Sequence, residues 1–215
     1  MYIYHYSSEP RYSIKTKRAS GAAVPEEIAK SEANAKRHSF IGAYVDHISF
    51  FCGPIPSTTL PKIYGEDHQA WRNGNVLYEH LVDTSTLEKN IAFTLVESHR
   101  EWDEFNTFAE KNRWTGDDPE LLAKWYKHIK DKRKAWGEEG KDLKLLEKQV
   151  KLHAGRLLDD FVDASMREDF EEGRMKYAAN VPHLMLYPKE GVIVPEKISK
   201  VVMGSAARIP IYGYR

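Results

Sequence analysis

Cysteine is almost missing from this chain: Cys52 is the only one among 215 residues. A single thiol excludes an intramolecular disulfide framework and most cysteine-based metal sites. A charge bias is missing too. The 32 basic and 32 acidic residues cancel, so no global field draws the chain towards nucleic acid or an anionic membrane. No apolar run approaches the ~20 residues needed to cross a bilayer. The opening "MYIYHYSSEPRYSIKTKR" lacks a basic leader followed by an apolar stretch, so no signal peptide is expected. There is no G-x-x-x-x-G-K-[ST] and no G-x-G-x-x-G, so neither familiar phosphate-cradling loop is expected. Internal repeats and low-complexity tracts are also lacking. These absences predict a soluble protein of a reducing, cytoplasmic compartment with no membrane partner.

What is present suits a globular α+β domain. Apolar residues make up 41% of the chain, close to the ordinary share for a packed protein. Residues 1–97 carry aromatic and β-branched residues with turn formers, and "MYIYHYS", "DHISFF" and "NVLYEHLVD" read as strands. A helix is predicted within "GAAVPEEIAKSEANAKRHSF", where Pro25 suits a first helical turn and Glu26 and Glu27 face the positive end of the dipole. "CGPIPSTTLP" and "YGEDHQAWRNGN" read as loops. Residues 98–180 read as a helical insertion. Trp102, Phe105, Phe108 and Ala109 keep helical spacing, and Asp118 with Pro119 marks the start of another helix. Leu143, Leu146, Val150, Leu157, Phe161 and Met166 then mark a long amphipathic helix or two shorter ones. Residues 181–215 return to strands: "HLMLYP" and "GVIVPEKISKVVMG" look paired, and "IPIYGYR" reads as a tail. Strands, helices and strands again imply one sheet interrupted by helices and completed by its C-terminal strands.

Chemically useful residues are thinly spread. His128 and His153 sit among many Lys and Glu, which reads as a solvated face. His38 and His47 have neither metal-ligand spacing nor a completing carboxylate or thiol, so no metal site is expected. Cys52 in "FFCGP" reads as a buried thiol rather than a nucleophile. More informative are three polar residues on well-separated strands. These are His5 on the first, Ser49 on "HISFF", and Glu190 where "YPKEGVIVP" enters a late strand. A cleft spanning several strands would need such an arrangement.

In that order, the segments "IYHYSS", "YVDHISFFCGPIP" and "KEGVIVPEKISKV" resemble the three active-site strands of the ADP-ribosyltransferase fold. The nearest look is to DNA-modifying toxins of the DarT type. The resemblance implies a mixed sheet carrying a large helical insertion, with NAD as substrate. It implies that His5 binds the nicotinamide ribose and that Phe50 or Phe51 stacks on the nicotinamide, alternation leaving one of them in the cleft beside Ser49. Arg18 would pair with the pyrophosphate. Glu190 would be the catalytic carboxylate, stabilising the positive charge that grows on the ribose as nicotinamide leaves. The acceptor would be a macromolecule, either protein or nucleic acid.

A second function class is carried alongside: a non-catalytic structural or interaction protein of a larger assembly, for example a viral particle component. In that reading the helical insertion and the aromatic C-terminal segment would be docking surfaces, and an oligomer could form through the helices.

Overall fold

The computed structural model describes residues 1–55, 60, 75–96, 98–116, 118–160, 183–202, 205 and 207–213. Most of the loop expected at "YGEDHQAWRNGN", much of "CGPIPSTTLP", and the helical pattern from Phe161 onward lie outside them. Ten strands and four α-helices are described: β1 (Tyr2–Ser7), β2 (Ile14–Lys15), α1 (Pro25–His38), β3 (Ile48–Phe51), β4 (Val76–Asp83), β5 (Ala92–Val96), α2 (Ser98–Lys111), α3 (Pro119–Trp136), β6 (Glu139–Gly140), α4 (Leu143–Asp160), β7 (His183–Tyr187), β8 (Val192–Ile193), β9 (Lys197–Val202) and β10 (Arg208–Tyr212).

Eight strands form one sheet in the order β10-β9-β4-β1-β3-β7-β5-β6, while β2 and β8 pair separately. Register follows side-chain alternation. Ile3, Ile48, Phe50, Val82, Phe93, Leu95, Leu184 and Leu186 share one face, together with Leu146 and Val150 of α4 and Ile14 and Ile193 of the small sheet. The opposite face gathers Tyr6, Leu77 and Val201 with Ile55 and Leu60. Phe50 and Phe93 are wholly buried, each worth roughly 1.5–3 kcal/mol over an exposed ring.

The α+β class is therefore observed, with three corrections. Among the described residues every strand pairing is antiparallel rather than mixed. Even the long connection from β5 to β7 returns antiparallel, with Leu95 opposite Leu184 and Phe93 opposite Leu186 on the apolar face. "HLMLYP" and "GVIVPEKISKVVMG" do not pair with each other: β7 lies between β3 and β5, β8 pairs with β2, and β9 lies between β10 and β4. Finally, the segment read as a tail is β10, an edge strand bulged between Pro210 and Tyr212. Proline lacks the N–H a central strand needs, so an edge is where it is tolerated.

The helices follow their sequence signals. Pro25 begins α1 and Pro119 begins α3. The Asp118 carboxylate accepts the backbone N–H groups of Glu120 and Leu121 at 2.9 and 3.0 Å. Gly137 closes α3 in the left-handed region, at φ 74°. Trp125 of α3 packs edge-on to Phe105 of α2, with ring centroids 5.2 Å apart. Asp118→Ala should lower stability by about 1 kcal/mol, while Asp118→Asn should lose little. Calorimetry would read the first as a fall of about 2–4 °C in Tm; equal losses in both variants would reject the cap.

Candidate functional site

β1 lies in the middle of the sheet, and its alternation divides its polar residues between the two faces. His5 points the same way as Ile3, and directly opposite it on β4 stands His80. The two imidazoles meet edge-on, with centroids 5.6 Å apart. Phe50, from the other neighbouring strand, lies 5.7 Å from His5. Of the two candidate rings, Phe50 thus shares the histidine's face. Phe51 points to the opposite face, against Tyr6 and His183 at 6.0 and 5.5 Å. Ser49 contributes its carbonyl: His5 Nδ1 donates to it at 2.9 Å.

These hydrogen bonds fix both tautomers. His80 Nε2 accepts the backbone N–H of Arg11 at 2.8 Å, so the proton sits on Nδ1, which faces the His5 carbonyl at 3.2 Å. His5, donating through Nδ1, carries a lone pair on Nε2, and that buried atom has no partner among the described residues. Burial is the main reason both rings stay neutral, lowering each pKa to about 4.

Glu190 sits elsewhere. It is exposed in the turn between β7 and β8, which is closed by the Gly191 N–H bonding the Pro188 carbonyl at 3.0 Å. Gly191 is required there. Its φ is 66°, and a Cβ would come within 2.7 Å of the Ala19 methyl. The neighbours of the His5 ring are Ser49, Phe50 and His80, and no described hydrogen bond links it to Glu190. Arg18 is engaged by carboxylates: Nε and Nη2 bond Asp46 at 2.6 and 2.9 Å, and Nη2 bonds Glu32 at 2.7 Å. Its Nε and Nη2 donors are thereby occupied.

The predicted residues are related through one stretch, residues 9–23, whose main-chain donors reach two of the three motif segments and His80, the neighbour of His5. The Arg11 N–H caps His80 beside His5. The Thr16 N–H bonds the Gly191 carbonyl beside Glu190 at 2.8 Å, and the Arg18 N–H bonds the Val45 carbonyl, just ahead of β3, at 3.0 Å. The outer side of the same loop lines a cleft of about 430 Å³ with Arg11, Ser13, Lys15, Lys17 and Ser20. Lys17 also pairs with Glu27. Sequence reasoning passed over Arg11 and Lys15, yet the signal was there. In "RYSIKTK", Arg11, Ser13, Lys15 and Lys17 alternate with Ile14 and Thr16, which are buried, so a period of two places every cation outward.

Other residues singled out in the sequence take structural places. Cys52 is half-buried, and burial pushes its thiol pKa up. His128 reaches across from α3 to Glu104 of α2 at 2.6 Å. Among the described residues no group of three or more His, Cys, Asp or Glu could hold a metal ion, and no helix is long and apolar enough to cross a membrane. Comparison with protein-family models, curated proteins and solved structures finds no match for this chain.

Proposed function

We propose that this chain is an NAD-consuming ADP-ribosyltransferase-like enzyme. The observation that carries the reading is the loop of residues 9–23. It is bonded to the segments that carry Phe50 and Glu190 and to His80, the neighbour of His5, and it turns a cationic cleft outward. A dinucleotide's phosphates need such a surface, since Arg and Lys beside phosphate oxygens form the stronger, charge-assisted hydrogen bonds. Arg11 and Lys15 then take the part first given to Arg18. The lone pair on His5 Nε2 is an unused acceptor beside the Phe50 ring, and both are enclosed in the folded protein. Glu190, at the mouth of the turn, supplies the fixed negative charge. In the reaction the bond between the ribose C1′ and the nicotinamide nitrogen breaks, and nicotinamide leaves neutral with the bonding pair. The acceptor's nucleophile donates the new pair to C1′ and loses its proton to water. A carboxylate held beside the intervening positive charge lowers the barrier because it needs no reorganisation.

Thermal stability measured with and without NAD, followed by assay of released nicotinamide, tests the proposal. NAD at a hundred times its Kd should raise Tm by roughly 5–10 °C, and Glu190→Gln should retain that shift while abolishing release. Neither a shift nor release from the wild type would end the transferase reading.

One observation favours the interaction-protein reading. Ile209, Ile211 and Tyr212 are exposed on the edge strand β10, and an open edge with apolar side chains can pair with another chain. Defined oligomers without any NAD response would move the assignment there.

A further inference from the structure

A second cleft lies on the other side of β8. Lys15 and Ile14 of the cationic loop pair with Val192 and Ile193, while Val192 and Ile193 also line a separate cleft of about 430 Å³. The β2–β8 pair that follows the Glu190 turn therefore contributes Lys15 to one cleft and Val192 and Ile193 to another of similar size and different chemistry. This second cleft is walled by Leu87, Ile91, Val192 and Val194, and among the described residues its charged lining is Glu88 and Glu196. Val194 is 61% exposed although apolar. Glu88 also fastens the turn: its Oε1 accepts the Lys189 backbone N–H at 2.7 Å, and Oε2 takes no part in that bond.

Resting on the transferase reading above, we infer that this cleft receives the acceptor, and that the acceptor is a basic, partly apolar segment of a protein rather than a polynucleotide. The sign of the lining decides between them. A phosphodiester backbone entering beside Glu190 would meet Glu88 and Glu196 and lose the cation contacts that supply most nucleic-acid affinity. A peptide offering Arg or Lys among aliphatic side chains meets carboxylates at the rim and apolar wall within. The volume falls inside the range of about 300–1,000 Å³ typical of ligand sites. Donor and acceptor then approach Glu190 from opposite sides of β8, the anionic donor over Arg11 and Lys15 and the cationic acceptor over Glu88 and Glu196.

Fluorescence anisotropy of the full chain against two labelled probes, a peptide alternating leucine and arginine and a single-stranded DNA oligonucleotide, tests the inference at low salt. The peptide is expected to bind more tightly than the DNA. Glu196→Lys should weaken the peptide about fivefold, the upper end for an exposed ion pair, and adding Glu88→Gln should weaken it further. Glu110→Lys, which changes net charge equally from the exposed surface of α2, should leave the peptide's affinity alone. Tighter binding of the DNA, or equal effects of Glu196→Lys and Glu110→Lys, overturns the inference. Nicotinamide release into water, measured without either probe, separates the two failures. Release with no peptide effect of Glu196→Lys removes only the acceptor assignment, and the absence of both release and an NAD-induced rise in Tm removes the transferase reading.

Discussion

Acidification from neutrality towards about pH 4 is expected to unfold this protein, well before its carboxylates have all been neutralised. Three histidines drive the effect. His5, His80 and His183 each have a pKa lowered from 6.5 to about 4, with burial as the leading cause. An unfolded imidazole titrates near 6.5, so below that pH the unfolded chain binds protons that the folded chain refuses. The stability contributed by neutral imidazoles is fully present above about pH 6.5, falls as pH drops, and is exhausted once pH passes about 4. For the fully buried His80 the difference is worth roughly 3 kcal/mol. His5 and His183 add in the same direction, against a total stability of about 5–15 kcal/mol. Depressed carboxylates such as Glu147, held beside the N-terminal amine, begin to contribute at the lower end. Glu139 opposes the trend, since burial raises its pKa, but one carboxyl does not offset three imidazoles. Circular dichroism followed from pH 8 to pH 3 would show the transition. His80→Gln, which keeps a donor and an acceptor but cannot ionise, should move the midpoint down by several tenths of a pH unit. An unmoved midpoint would mean that another group controls it.

The same histidines show what the sequence disclosed and what it withheld. "IYHYSS" and "NVLYEHLVD" were legible as strands because their β-branched and aromatic residues alternate, and alternation alone gave each residue a face. Pairing was not legible. That His5 stands opposite His80, and Tyr6 opposite Glu79, depends on a contact across about seventy positions, and local pattern carries no information on register at that range. Helix starts were read well because Pro25, Asp118 and Pro119 act locally on the backbone. β10 was missed because proline and glycine ordinarily end strands, and only its place at the sheet edge makes Pro210 acceptable. At the candidate site the polar residues were visible one by one. The loop that ties His80, the approach to β3 and the Glu190 turn together works through main-chain N–H groups, which no side-chain motif reports.

Arg208→Met is expected to cost roughly 2–4 kcal/mol, a fall in Tm of about 5–12 °C. The reason lies on the sheet face opposite His5. The Glu79 side chain is only 8% exposed and Arg208 is 32% exposed. Arg208 Nε bonds both Glu79 oxygens at 3.2 and 3.0 Å, and Nη2 bonds the Ile55 carbonyl at 2.7 Å. Tyr6 completes the group: its hydroxyl donates to Glu79 at 2.7 Å and accepts the Ile55 N–H at 2.9 Å. Burial, reinforced by the Glu79 charge, drives the Tyr6 pKa upward, so the phenol stays a donor. Removing the guanidinium leaves a buried carboxylate with one hydroxyl donor and strands the Ile55 carbonyl. That penalty exceeds the net worth of the pair, because uncompensated charge in an apolar setting is the costly state. The partial exposure of Arg208 keeps the estimate below that for a fully enclosed pair. Glu79→Gln combined with Arg208→Met should therefore recover much of the loss, since no unpaired charge remains. Arg208→Lys should fall between wild type and Arg208→Met, as a single ammonium cannot span both Glu79 and Ile55. Chemical denaturation of the wild type, Glu79→Gln, Arg208→Met and the double variant gives the coupling energy directly. Simple additivity would show that Arg208 acts through packing of its stem rather than through its charge.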